Sequence, residues 1–418
     1  MRNQKHKFDR RALLTGGAAV FGGLWLASSS ASASPHVFVK RSNSDRDEDD
    51  APRTLLVLEL SGGNDGLDTI VPYADDLYHK GRTRIGLRTP DLLKLDDYRA
   101  WNPELKKMRA LYDEGRLAII EGTGYPHPNR SHFTSQDIWY TAHETGRASG
   151  DGWMGRLTAA LYPDDKRVPH LVHIGTTKPY SLKSSTHPVV FLDAPTAYRF
   201  ALNAGAIVAA SPAMDASSMP AHGSRAAVDR IGNVVHSAQE SSAAFRRAAS
   251  EYKPRVEYPD TELGKDLQTA AALLQGGVGA RVLSVTQTGY DTHDSQRGRH
   301  TALLDELDGA LSAFFQDVRG TSAGDKLVVM MFSEFGRRVE DNASGGTDHG
   351  VAGPMFLLGT PVKGGLYGKH PSLSELDEGD LIHTTDFRSV YASVIQHWLG
   401  TDAAGVLGAQ YPQIPMFA

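Results

Sequence analysis

The chain has 418 residues, 22% of them charged, and a formal net charge of −5, which gives no electrostatic reason to expect nucleic acid or an anionic surface as partner. It contains no cysteine, so disulfides, thiolate metal sites and a cysteine nucleophile are excluded. The length suits one large α/β domain with a well-buried core, or two smaller domains.

The first residues set an expectation about location. A basic start (Arg2, Lys5, Lys7) leads into Asp9-Arg10-Arg11-Ala12-Leu13-Leu14, then a modestly apolar run from Gly16 to Ala27 and an Ala31-Ser32-Ala33 pattern. This is the layout of a signal peptide over 1–33. The paired arginines, with Gly16-Gly17 and Gly22-Gly23 lowering hydrophobicity, resemble a twin-arginine signal. The apolar run is short for a bilayer span. We therefore expect no stable membrane span, the twin-arginine translocase as partner during export, and a periplasmic or extracellular mature protein. Residues 34–53 are polar and charge-rich and read as a flexible leader, followed by a single domain over 54–418.

Within that domain, Leu55-Leu56-Val57-Leu58-Glu59-Leu60 predicts a buried strand that stops in Ser61-Gly62-Gly63-Asn64-Asp65-Gly66. A helix is expected over Pro103–Glu114, then a strand over Leu117–Gly122 and another over Leu171–Gly175. The alanine- and serine-rich stretch 203–260 reads as a helical, peripheral insertion. Further on, the pattern predicts a strand at Val282–Val285, a helix over His300–Val318 with Leu303, Leu304, Leu307, Leu311 and Phe314 on one face, and strands at Lys326–Phe332 and Pro354–Gly359. A closing helix covers Asp386–Leu399. Strands alternating with helices predict an α/β fold, doubly wound, with a mostly parallel sheet and helices on both faces. Such sheets form their sites at the carboxyl ends of the strands.

Potential metal ligands recur at those ends. Asp65 follows the first strand, Asp291, His293 and Asp294 follow the strand at 282–285, and Glu334 follows the strand at 327–332. Asp348 and His349 precede the strand at 354–358. Carboxylate oxygens and neutral imidazoles suit a divalent metal: zinc, manganese or calcium. An Asp at a strand end is also a common cap, so it is the recurrence, twice with histidine, that points to metal. After the strand at 117–122, the loop through Pro126 and Pro128 reaches Arg130-Ser131-His132-Phe133, where a helix starts. A hydroxyl at a helix N-terminus beside a metal suits a small anionic ester as substrate. Ser131 is the candidate nucleophile, ahead of Ser135 and Thr134, and its alternative is a plain N-cap. Arg130 is a candidate anion holder, and His132 or His127 a candidate proton donor. There is no nucleotide-binding glycine pattern at 62–66 and no Gly-x-Ser-x-Gly elbow.

Five segments, Leu58–Leu67, Arg130–Phe133, Gly289–His293, Ser333–Arg337 and Gly346–Gly350, together resemble the twin-arginine-exported family catalogued as domain of unknown function fifteen-oh-one. That family is similar, more distantly, to the alkaline phosphatase and sulfatase superfamily. The resemblance implies an alkaline phosphatase-like fold, with Asp65 as first ligand, Ser131 as nucleophile, Asp291 with His293 as a ligand pair and His349 as the last histidine. Glu334-Phe335 stands where the superfamily has Asp-His, unless Asp348-His349-Gly350 is that motif displaced. Two functions follow as expectations. One is a metal-dependent hydrolase of phosphate or sulfate esters, using an activated hydroxyl or water. The other is a non-catalytic, metal-stabilised binding or scaffold protein on the same fold.

Overall fold

The computed structural model describes residues 52–144, 150–165, 168–193 and 241–417. The expected signal peptide, nearly all of the leader and most of the 203–260 stretch lie outside the described residues.

The central element is β1 (Thr54–Ser61), buried along almost its whole length. Its continuous apolar run is what a strand covered on both faces requires. Leu56, Leu58 and Leu60 enter one core, shared with Met108, Leu267, Leu311 and Phe314. Those residues belong to α1 (Lys106–Asp113), α4 (Glu262–Gln275) and α5 (Gln296–Val318). Leu55 and Val57 enter a second core with Ile138, Trp139, Trp153, Phe387 and Tyr391, carried by α2 (His132–Thr141), α3 (Trp153–Leu161) and α6 (Phe387–Ser393). Each such side chain, fully buried, contributes roughly 1.5–3 kcal/mol. The alternation along β1 thus builds helices onto both faces of the sheet.

The strands that frame the main sheet and its carboxyl edge are β1 with β2 (Leu117–Gly124), β3 (Leu171–Ile174), β4 (Val189–Leu192), β5 (Val282–Thr288), β6 (Leu327–Phe332), the short β7 (Arg337–Asp341) and β8 (Thr347–His349), β9 (Gly353–Leu358), β10 (Gly365–Tyr367) and β11 (Thr385–Asp386). The main sheet has nine strands in the order β10-β2-β9-β6-β1-β5-β3-β4, with β11 also on β2. Every neighbouring pair is parallel except those of β9, which runs antiparallel to both β2 and β6. The fold is the expected α/β arrangement with a mostly parallel sheet.

Some elements differ from expectation. The strand at 353–358 is reversed because the antiparallel β7–β8 hairpin delivers the chain to the carboxyl edge, so its next strand must run back. The closing helix gives way to a π-helical turn at Val394–Trp398. Of the stretch expected to be helical, 241–251 is helical and 252–260 is not, and α4 and β4 have no counterpart among the expected elements. No described helix is long and apolar enough to cross a membrane. Along the carboxyl edge, the loops after β1, β2, β5 and β6 and the β7–β8 hairpin come together.

Candidate metal centre

Two features draw these loops close. Gly62 has φ +120°, and a Cβ there would lie 2.4 Å from the backbone nitrogen of Asp291, so only glycine permits the approach. Arg337 is fully buried. Its guanidinium donates to the carbonyls of Gly63 (2.8 Å), Gly62 (2.5 Å), Thr347 (2.8 Å) and Tyr290 (3.0 Å), and to Asp291 Oδ1 (2.7 Å). One planar fork therefore ties three loops together and fixes one carboxylate.

Around that carboxylate, three imidazoles converge. Asp291 Oδ1 is 3.1 Å from His293 Nε2, 3.1 Å from His349 Nε2 and 3.4 Å from His132 Nε2. The Nε2 atoms of His293 and His349 are 2.8 Å apart. Each ring is held from behind at Nδ1. His132 bonds Glu334 Oε1 at 2.7 Å, His293 faces Asp348 Oδ1 at 3.3 Å, and His349 bonds the Arg130 carbonyl at 2.7 Å. Carbonyls and ionised carboxylates only accept, so we assign the proton of each neutral ring to Nδ1, which leaves the Nε2 lone pairs aimed at a common region. An acceptor behind each imidazole is the arrangement that orients histidine ligands on a metal.

Without something between them, these lone pairs repel one another and the carboxylate. His132 Nε2 is buried with no hydrogen-bond partner. One ligand atom each from His132, Asp291 and His349 lies within 4.8 Å of the other two. Three imidazole nitrogens and a carboxylate oxygen fit zinc or a similar transition ion better than calcium, which takes oxygen ligands. Phe335 packs its ring 4.8 Å from that of His132 and 4.7 Å from that of His349, giving the cluster an apolar floor.

Burial works to raise the Asp291 carboxyl, but the hydrogen bond from Arg337 and the Arg337 charge hold it well below the usual carboxylate range. The bond to Glu334 raises His132 against the opposing effect of burial. Burial lowers His349, against the upward pull of the nearby Asp291 carboxylate and the Arg130 carbonyl. For Asp348, burial is outweighed by bonds from Asn342 and His293, and its carboxyl is lowered.

Of the residues singled out from the sequence, Asp291, His293 and His349 meet in this cluster. Asp348 stands behind His293. Glu334 does not face the cluster with a free oxygen. It is buried, takes the N–H groups of Gly62 and Gly63, and serves as acceptor for His132. Asp65 is placed in a different role from that of first ligand. Its carboxylate bonds Arg82 at 2.5 Å and Gln296 at 2.5 Å, and caps the one-turn helix Gly66–Thr69 through Leu67 N and Asp68 N. Both oxygens are committed, and the charge is already matched by a buried guanidinium.

Ser131 is the exposed N-cap of α2, and its hydroxyl makes no capping bond. It sits between Arg130 and His132, both of which touch the cluster. Arg130 spends its guanidinium on Asp380 (2.5 Å) and Glu378 (3.2 Å) and contributes only its carbonyl. Ser135 is buried and donates to the Glu334 carbonyl. Sequence reasoning had cast His132 as a proton donor and passed over Arg337. The strand-end rule that picked out Asp291 and His293 applied equally to His132, which follows β2.

The family described as protein of unknown function (DUF1501) matches residues 118–409, well over half of the chain. The chain belongs to that family. No curated protein matches the sequence. Among solved structures, this DUF1501 chain has a distant likeness to a protein in the alkaline phosphatase superfamily from Vibrio parahaemolyticus (10% identity, TM-score 0.31, 76% of this chain and 62% of that one). Similar values hold for the lipoteichoic acid synthase LtaP from Listeria monocytogenes (8%, 0.38, 88% and 78%) and the PsFucS1 sulfatase from Pseudoalteromonas sp. (12%, 0.36, 87% and 70%). At such scores, a functional reading of the DUF1501 chain has to come from its own residues.

Proposed function

We propose that this protein is an exported, metal-dependent hydrolase of phosphate or sulfate esters. The observation that carries the reading is the convergence of three backed imidazoles on Asp291 at the carboxyl edge of the sheet. His132, His293, His349 and Asp291 hold the cation, and Glu334, Asp348 and the Arg130 carbonyl keep each ring in the tautomer that presents Nε2. A divalent ion there supplies Lewis-acid polarisation and offsets charge on the transferring group. Ser131 offers an unbonded hydroxyl at the positive end of the α2 dipole, where an anionic ester is favoured. It is the nucleophile, with water as the alternative. Because His132 belongs to the donor set, His127 in the exposed part of the same loop is the imidazole left to protonate the leaving group.

One observation favours the second reading, a metal-stabilised binding or scaffold protein. Glu334, Asp65 and Arg130, three of the groups expected to serve chemistry, are committed to structural bonds.

The test is elemental analysis and ester turnover on the exported protein, supplied separately with zinc, manganese and calcium. Asp291→Ala should lose the metal and reduce turnover by about 100-fold or more. Ser131→Ala should keep the metal and lose turnover if the serine attacks, and keep both if water does. Wild-type protein that carries metal yet leaves aryl phosphate and sulfate esters intact would establish the scaffold instead. Metal-free protein of undiminished stability would remove both readings.

A further inference from the structure

We infer that the substrate is a singly charged tetrahedral ester, a sulfate monoester or phosphate diester, rather than a phosphate monoester dianion. This rests on the hydrolase reading above and concerns the charge that the site can match.

Three carboxylates stand in or against the cluster, and two more pair the guanidinium of Arg130, whose carbonyl backs His349. Asp291 is within it, Glu334 and Asp348 back two of its imidazoles, and Asp380 and Glu378 hold Arg130. The guanidiniums among them are three, and all are engaged. Arg337 is saturated by loop carbonyls and Asp291. Arg130 is paired with Asp380 and Glu378. Arg338 donates to Asp380 Oδ1 at 3.2 Å and to the Glu378 carbonyl at 3.2 Å. The set therefore carries two more negative charges than positive, and one divalent cation brings it to neutrality.

A second cation has no evident seat. Among the described residues, one group of three potential ligands brings its atoms within 4.8 Å, the group containing Asp291. Asp65, the carboxylate expected to extend the site, is consumed by Arg82. An arriving monoanion is held by the cation and the α2 N-terminus. A dianion brings a further charge that none of these three guanidiniums is free to meet, beside the buried Glu334 and the partly exposed Asp291 and Asp348 carboxylates.

The experiment is a calorimetric titration of the full mature protein, loaded with zinc, at a pH where phenylphosphonate is a dianion. The probes are phenylphosphonate and its monomethyl ester, which differ by one charge. The monoester should bind about tenfold more tightly, and Glu378→Gln, which removes one rim charge, should narrow the gap. Faster turnover of para-nitrophenyl sulfate, or of methyl para-nitrophenyl phosphate, than of para-nitrophenyl phosphate would support the inference and say which source of the monoanion is used. Equal or tighter binding of the dianion overturns it while leaving the hydrolase reading in place. Zinc-loaded protein that binds neither probe overturns both.

Discussion

A buried carboxylate is costly unless donors surround it, and this protein buries two near each other behind the cluster. Glu334 is well supplied by Gly62 N, Gly63 N, Ser333 and His132. Glu59 is not: it has the Tyr140 hydroxyl at 2.7 Å and a distant Gln136 amide at 3.4 Å. Burial, then the charge of Glu334, push its carboxyl from 4.5 up to about 8. The folded chain thus keeps a proton that the unfolded chain gives up above 4.5. The stability this confers is complete below 4.5 and is lost as pH rises through 8. Glu59→Gln should remove that decline, so its stability relative to wild type should improve by roughly 4–5 kcal/mol between the acid and alkaline ends of the window. Denaturant melts across the window check this, and a pH-independent difference would refute the assignment. The same contrast explains what was legible at this scale. Acidic and imidazole groups at strand ends could be read, and Asp291, His293 and His349 did come together. Which oxygens were already taken could not be read, because the partners of Asp65 are Arg82 and Gln296, the latter 231 positions away.

At the level of elements, the β7–β8 hairpin decides whether His349 and Asp348 reach His293. Gly346 lies against the 289–293 loop so closely that a Cβ would be 2.3 Å from the carbonyl carbon of His293. Its neighbour Gly345 has φ +70° but open space around it. Gly346→Ala should displace the hairpin and weaken zinc binding by about tenfold or more with an unchanged circular dichroism spectrum. Gly345→Ala should cost about 1 kcal/mol of backbone strain and leave zinc affinity alone. Metal titrations that fail to separate the two variants would show that the hairpin does not set the ligand geometry. Long apolar runs made β1, β2, β5, β6 and α5 readable in the sequence. The four-residue β4 offered too little pattern. Strand direction is not encoded in periodicity at all, so the reversal of β9 emerged only from the hairpin that precedes it.

For the molecule as a whole, the cluster is a long-range construction. Residue 132 follows β2, residues 291 and 293 follow β5, and residue 349 ends β8, so the four donors meet only after the main sheet and both cores have formed. An unfolded chain offers these groups to a cation one at a time, whereas the folded chain offers them together and already oriented. If metal is acquired before export, the chain must be folded when it leaves, which is what the twin-arginine route that we propose for the Arg10-Arg11 segment requires. We therefore expect that replacing Arg10 and Arg11 together with lysine holds the protein in the cytoplasm, folded and carrying its metal. Cell fractionation would locate it, protease resistance would report its fold, and elemental analysis of the retained pool would report the cation. Undiminished export of the double variant would remove the twin-arginine proposal. A retained pool that is folded but metal-free would instead move metal acquisition to after export, leaving the donor set itself untouched.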